Sequence, residues 1–260
     1  MLFPFRDDNP TRITPVVTMA LMAANVLVFF YQLSLQGRAG EAFIYSFGMI
    51  PAVLFGGAQL PPDIAVLPGW ATVFSSMFLH GGIMHIAGNM LFLWVFGNNV
   101  EDAMGHGRFI AFYLLCGIAA ALAQGFSDMS SEIPMIGASG AISGVLGAYL
   151  ILHPRADVHS LLFLGIFIRV ITLPAMAVLG IWFLLQLVQA TLVRSEGEGG
   201  VAFLAHIGGF IAGAVLVPLF RNQKAVAWQT HERLEHGPWQ PRRGPWERRS
   251  PWDRRRGPWG

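Results

Sequence analysis

IGASGAISGVLGAYL, residues 136–150, is an apolar run in which Gly140, Ser143, Gly144 and Gly147 recur at helical spacing. One face of the helix it predicts is therefore almost bare of side chains, and Gly137-Ala138-Ser139-Gly140 places a serine hydroxyl at its start. A complementary stretch, FLAHIGGFIAG at residues 203–213, carries a second small face from Ala205, Gly209 and Gly213, with His206 beside it. Small faces of this kind let two helix backbones approach closely inside a bilayer, so Ser139 and His206 are expected to hydrogen-bond directly. A serine hydroxyl is a weak nucleophile until a neighbouring base takes its proton, and neutral histidine is the usual base near pH 7.

The surrounding composition supports a membrane setting. Of 260 residues, 54% are hydrophobic and only 12% charged, against about 25% charged in an average soluble domain. Apolar stretches run from about Thr14 to Leu35, Ile83 to Asn99, Phe109 to Gln124, Ile136 to Leu152, Ile171 to Val193 and Val201 to Phe220. Most approach the roughly 20 residues that a crossing helix needs, which predicts an all-α membrane protein with six transmembrane helices. Val158 to Val170 is also apolar, but Arg169 and Leu173-Pro174 mark it as an interfacial segment leading into the fifth helix. The first stretch exceeds a signal-peptide core and lacks a clear cleavage signal, so it is expected to be retained. Cys116 is the single cysteine, which excludes internal disulfides and clustered thiolate metal sites.

Positive charge sets the orientation. Arg6, Arg12, Arg108, Arg155, Arg169 and the basic tail fall on one side, and only Arg38 and Arg194 on the other, so both termini are expected in the cytoplasm. The second, fourth and sixth helices then enter from the outer face, where His85, Asn89, Ser139 and His206 share one depth. His85 and Asn89, four residues apart, lie on one helix face, with His80 just before it. Ionisable and polar groups within a bilayer are costly and are functional candidates by default. The side chains of His85 and Asn89, with the Ser139 amide at a helix amino end, are suited to an oxyanion that forms at a peptide carbonyl. No acidic residue lies near Ser139 or His206 in their helices, so a Ser-His dyad is expected, with Asp128 and Glu132 as alternative orienting groups.

Two flanking regions complete the organisation. The connection from about Gln36 to Ala71 holds Pro51, Pro61, Pro62 and Pro68 together with apolar residues such as Phe43, Phe47 and Phe55. It is too long for a plain turn and is expected either to carry structure or function of its own or to be a covering loop without chemistry. From Arg221 onward the chain becomes a Pro, Gly, Trp and Arg mixture with repeated Pro-Trp pairs, expected to be disordered. It holds ten basic and four acidic residues, net +6, against seven basic and eleven acidic in the rest, net −4. Interleaved Trp and Arg suit an anionic lipid headgroup layer as well as a plain solvated tail, and no nucleic acid is expected as a partner. The expected division is a cytoplasmic segment at 1–13, a six-helix domain at 14–220 and the tail at 221–260.

At these residues the sequence resembles the rhomboid family of intramembrane serine proteases, from about Trp70 to Phe220. The matching pieces are Phe78-Leu79-His80-Gly81-Gly82, His85-Ile86-Ala87-Gly88-Asn89, Gly97-Asn98-Asn99-Val100-Glu101, Gly137-Ala138-Ser139-Gly140 and Ala205-His206-Ile207-Gly208-Gly209 with Gly213. The resemblance implies a rhomboid-like bundle in which Ser139 is the nucleophile, His206 the base, and His85 and Asn89 line the oxyanion hole. Glu101 takes a structural place. It also implies membrane-protein substrates cut near the outer face, no cofactor and no metal, and a multi-pass location in the bacterial cell (inner) membrane. Two departures stand out: Trp70 is followed by Ala71 where some members have arginine, and Ser143 stands where some have an aromatic residue stacked on the histidine. The packing partner of His206 is therefore unassigned.

Other classes fit less well. A transporter would want charged residues deep in a helix core and an inverted repeat. A zinc site from His80, His85 and His206 lacks the spacing and an acidic ligand. An inactive relative that only binds membrane proteins would have no need to keep both Ser139 and His206.

Overall fold

The computed structural model describes residues 2–35, 37–164, 167–192, 202–226 and 229. The tail expected to be disordered lies almost wholly outside the described residues. Strand β1 (Leu2–Asp7) precedes α1 (Val16–Ser34). The long connection does carry structure of its own: α2 (Arg38–Phe47), α3 (Pro51–Leu54) and the start of α4 (Gly69–Ser75) fall within it. A short 3-10 turn at Ser76–Phe78 leads to α5 (Ile83–Met104), followed by α6 (His106–Ser127) and α7 (Ser139–Leu152). Strands β2 (Asp157–Leu164) and β3 (Phe167–Pro174) separate α7 from α8 (Ala175–Leu192) and α9 (Phe203–Phe220).

Each of the six expected apolar segments carries a helix. Length and composition qualify α1, α6 and α9 as membrane spans, and a fourth when α4 through Phe78 is joined to α5 across an 83° bend. α7 and α8 are apolar but shorter. The mostly helical architecture thus agrees with the sequence, with one correction to the all-α expectation. Within Val158 to Val170, the segment expected to lead into the fifth helix, the described residues are strand: β1, β2 and β3 form an antiparallel sheet in that order. Ile171, expected to begin the fifth helix, lies in β3, and α8 starts only after Pro174. The segment is rich in Val, Ile, Leu, Phe and Thr, which pack well on a pleated surface. Val158 and Ser160 are buried while His159 between them is not, as a strand's alternation requires. The sheet follows the carboxyl end of α7, so it sits at the end of that helix opposite Ser139.

α7 is the central element. Every residue from Gly140 to Tyr149 is buried, although a membrane-facing helix would expose one side. Its small face lies on α9 so closely that a Cβ at Gly209 would fall on the Gly140 carbonyl, and one at Gly213 on that of Gly144. Reciprocally, a Cβ at Gly147 would strike the Phe210 carbonyl. The bare faces read from the sequence are therefore the α7–α9 contact. Around it pack Phe96, Phe109, Phe112, Tyr113 and Tyr149, all fully buried.

Glu101, near the carboxyl end of α5, fixes the start of α1. α1 has no side-chain cap of its own, and the first amides of a helix lack intrahelical partners. The buried Glu101 carboxylate accepts from Val17 N–H at 2.9 Å, Thr18 N–H at 2.8 Å and the Thr18 hydroxyl at 2.6 Å. Its neighbour Asp102 accepts from Ile13 N–H at 3.3 Å and Gln229 Nε2 at 2.8 Å. Gln229 and Ala225 are buried, and Asn222 N–H donates to the Ala103 carbonyl at 2.6 Å. Chain beyond residue 221 thus still packs on the end of α5.

Candidate active site

Ser139 is the first residue of α7, and His206 stands in the first turn of α9. The α7–α9 approach brings the Ser139 hydroxyl to 2.8 Å from His206 Nε2. Ile142 N–H makes the first helical bond of this end, to the Ala138 carbonyl at 3.0 Å. The amides of Ser139, Gly140 and Ala141 precede that bond and point out of the helix end, where the peptide dipoles favour negative charge.

Gly137 holds the chain in the approach to α7 with φ of 125°, a region that side chains rarely adopt. Its N–H donates to the Ser76 carbonyl at 2.9 Å. A Cβ here would also meet the His85 ring, 2.8 Å from Nε2. His85 therefore reaches over Gly137 to the mouth of the site. Its Nδ1 faces the Gly81 amide at 3.4 Å, and its ring meets the His80 ring edge to face at 5.1 Å. Asn89 is buried one turn further along α5 and shares a 2.9 Å hydrogen bond with His80 Nε2. His80 thereby holds the Asn89 amide.

The second serine is occupied otherwise. The Ser143 hydroxyl donates to the Ser139 carbonyl at 2.6 Å and is buried, one turn along α7 from the helix end. Asp128 accepts from Ser130 and Glu132 is exposed. Neither carboxylate is the partner of His206. That place is taken by Gln186 of α8, whose Oε1 lies 2.7 Å from His206 Nδ1. The aromatic partner is also on α8: the Trp182 ring lies 5.9 Å from the His206 ring, tilted by 38°. Sequence reasoning missed both residues. The rule that flagged His85 and Asn89 applies equally to Gln186, a polar side chain inside an apolar helix.

A small cavity opens beside Ser139, lined by Ser76, Met77, Ala120, Ile136, Gly137 and Ala205 among others. A Cβ at Gly117, also in the lining, would collide with Met77, so the chain is tightly packed there.

Comparison with known proteins gives the family of the chain. A family model described as the Rhomboid domain matches residues 68–223. The chain is 31% identical to Rhomboid protease GluP of Bacillus subtilis over 204 residues, which are 78% of this chain and 35% of that protein. It is 33% identical to RHOMBOID-like protein 5 of Arabidopsis thaliana over 58% of this chain and 45% of that one. With Rhomboid protease AarA of Providencia stuartii the identity is 27%, over 77% of this chain and 70% of the relative. The chain thus spans between about a third and a half of the length of the first two relatives.

Proposed function

Because the chain belongs to the rhomboid family, we propose that it is an intramembrane serine endopeptidase that cuts membrane-spanning segments near the outer face, with Ser139 as nucleophile and His206 as general base. The single observation that carries the reading is the 2.8 Å contact between the Ser139 hydroxyl and His206 Nε2, made where the small faces of α7 and α9 meet.

In the proposed reaction, His206 Nε2 takes the hydroxyl proton as Ser139 Oγ attacks the scissile carbonyl carbon. The carbonyl oxygen becomes an oxyanion, met by the amides at the start of α7 and by the side chains of His85 and Asn89. Collapse breaks the C–N bond, and His206 gives its proton to the departing amine. Water then attacks the acyl-enzyme, with His206 again as base, and frees Ser139. A closed helix offers its carbonyls only as hydrogen-bonded, shielded groups, so the substrate must unwind locally, and weak helix near the outer end of a span favours cutting. The small cavity beside Ser139 suits a small side chain at the cut.

The six apolar segments are proposed to cross the membrane as one bundle over 14–220, with both termini in the cytoplasm and the sheet at the inner surface. The bacterial cell membrane is the proposed location, and anionic lipid is the proposed contact of the basic tail. Purified full-length protein incubated with a panel of membrane-span peptides tests the activity, with products read by mass spectrometry. Cleavage within a span by wild type and not by Ser139→Ala is expected. No cleavage of any peptide by folded protein would favour an inactive relative that only binds.

A further inference from the structure

The second half of α8 is loosely covered. Ile181, Leu184, Leu185, Leu187 and Val188 are exposed, and of residues 181–191 only Gln186 is buried. An amide in that position costs free energy unless its polar atoms find partners, and Gln186 spends its oxygen on His206 Nδ1 at 2.7 Å. Four residues earlier, hence on the same face of α8, Trp182 lies against the His206 ring. Two independent contacts from one helix thus converge on one imidazole.

We propose that Gln186 is a positioning residue that sets the tautomer of His206, with Trp182 holding the plane of the ring, so that α8 supplies what a carboxylate and an aromatic residue of α7 would otherwise provide. The inference rests on the reading of Ser139 and His206 given above. Its logic follows the polarity of the chain of contacts from Ser139 through His206 to Gln186. A hydroxyl can donate or accept, and each nitrogen of a neutral imidazole can do either. Oε1 alone has no choice, because an amide oxygen only accepts. Nδ1 must therefore carry the imidazole proton, Nε2 must be bare, and the Ser139 hydroxyl must donate to Nε2. That is the one polarity in which His206 can act as a base. With the opposite tautomer, Nε2–H would point at the serine oxygen and no lone pair would face its proton. Ser143 cannot substitute for this control, since its hydroxyl is engaged with the Ser139 carbonyl. The role differs from that of a charged third group: a neutral amide orients the ring without adding a charge to a site surrounded by lipid.

The test combines spectroscopy with kinetics on the full chain in detergent or bicelles. With histidine nitrogens labelled, and the His206 signals assigned by their loss in His206→Ala, wild type is expected to show a protonated Nδ1 and a pyridine-type Nε2. Gln186→Met keeps length and bulk but has no comparable acceptor. It should lower kcat by about 10- to 100-fold, part of the full contribution of a general base, with KM little changed and a mixed tautomer signal. Gln186→Glu restores an acceptor and should recover most of the rate and the single tautomer. A pyridine-type Nδ1 in wild type, as a reversed amide would give, overturns the proposal. So does a Gln186→Met protein with wild-type kcat. Either result leaves cleavage by wild type and its loss in Ser139→Ala untouched. An inactive wild type would instead remove the protease reading, while the tautomer measurement would still decide the role of Gln186.

Discussion

The Ser139 hydroxyl and His206 Nε2 stand 2.8 Å apart although 67 residues separate them in the chain. What makes the contact possible is an absence of side chains. A Cβ at Gly209 or Gly213 would fall on a carbonyl of α7, so any larger residue would push α9 outward and carry His206 away from the serine. Packing and chemistry are one problem here, solved by the same glycines.

Gly137 gives the first prediction. Alanine there must adopt a φ of 125° and intrude on the His85 ring, so either the approach to α7 shifts or His85 is displaced. Gly137→Ala is expected to lose at least about tenfold in kcat, since removal of one oxyanion donor alone costs more. A cleavage assay beside thermal melting checks this. Wild-type turnover in a variant that melts normally would show that the strained glycine and the place of His85 do not matter.

The residues proposed to meet the oxyanion give the second. Asn89→Ala and His85→Ala should each lower kcat far more than they raise KM, by up to about 10²- to 10³-fold. His80→Ala should imitate Asn89→Ala in part, because the Asn89 amide is held by His80 at 2.9 Å. Steady-state kinetics on a fluorogenic membrane-span peptide separates the two parameters. Unchanged kcat in the double variant His85→Ala, Asn89→Ala would remove both from the mechanism.

Much of this site was legible in the sequence because its parts are expensive in a bilayer. Polar residues inside apolar runs are few, and small faces repeat with the period of a helix, so Ser139, His206, His85 and Asn89 could be named beforehand. Gln186 does not stand out in a search for an acidic third group, although a neutral amide can make the same hydrogen bond. The sheet escaped for a different reason. A short apolar run does not declare whether it is strand or helix by periodicity alone, and the pairing of β2 with β1 joins residues about 160 apart in the chain. The β-branched content and Pro174 were the available signals. The 83° bend between α4 and α5 falls at Leu79 to Gly82, where Gly81-Gly82 was the available signal.

A pH-dependent stability follows from Asp7, which lies in the sheet, outside the apolar helices. Desolvation pushes its carboxyl up from 3.8 to about 7, against the lowering effect of a hydrogen bond donated by the Tyr149 hydroxyl. Its folded-state pKa lies above the unfolded one, so the folded state binds the proton more tightly. The stabilising contribution is full below the unfolded value and is lost as pH rises through about 7. Wild-type melting temperature should therefore fall between pH 5 and pH 8 by more than that of Asp7→Asn, at about those settings. Parallel melting profiles for the two proteins would mean that Asp7 is not held protonated.

Covalent labelling tests the central claim most directly. Only a serine activated by a base should react with a fluorophosphonate or isocoumarin probe. Wild-type protein is expected to take one label, mapped by mass spectrometry to Ser139. Ser143→Ala should keep the label, because its hydroxyl is bound to the Ser139 carbonyl and takes no part in the attack. His206→Ala and Ser139→Ala should lose it while melting near the wild-type temperature. A folded wild-type protein that takes no label, an adduct on Ser143, or undiminished labelling of His206→Ala would contradict the account.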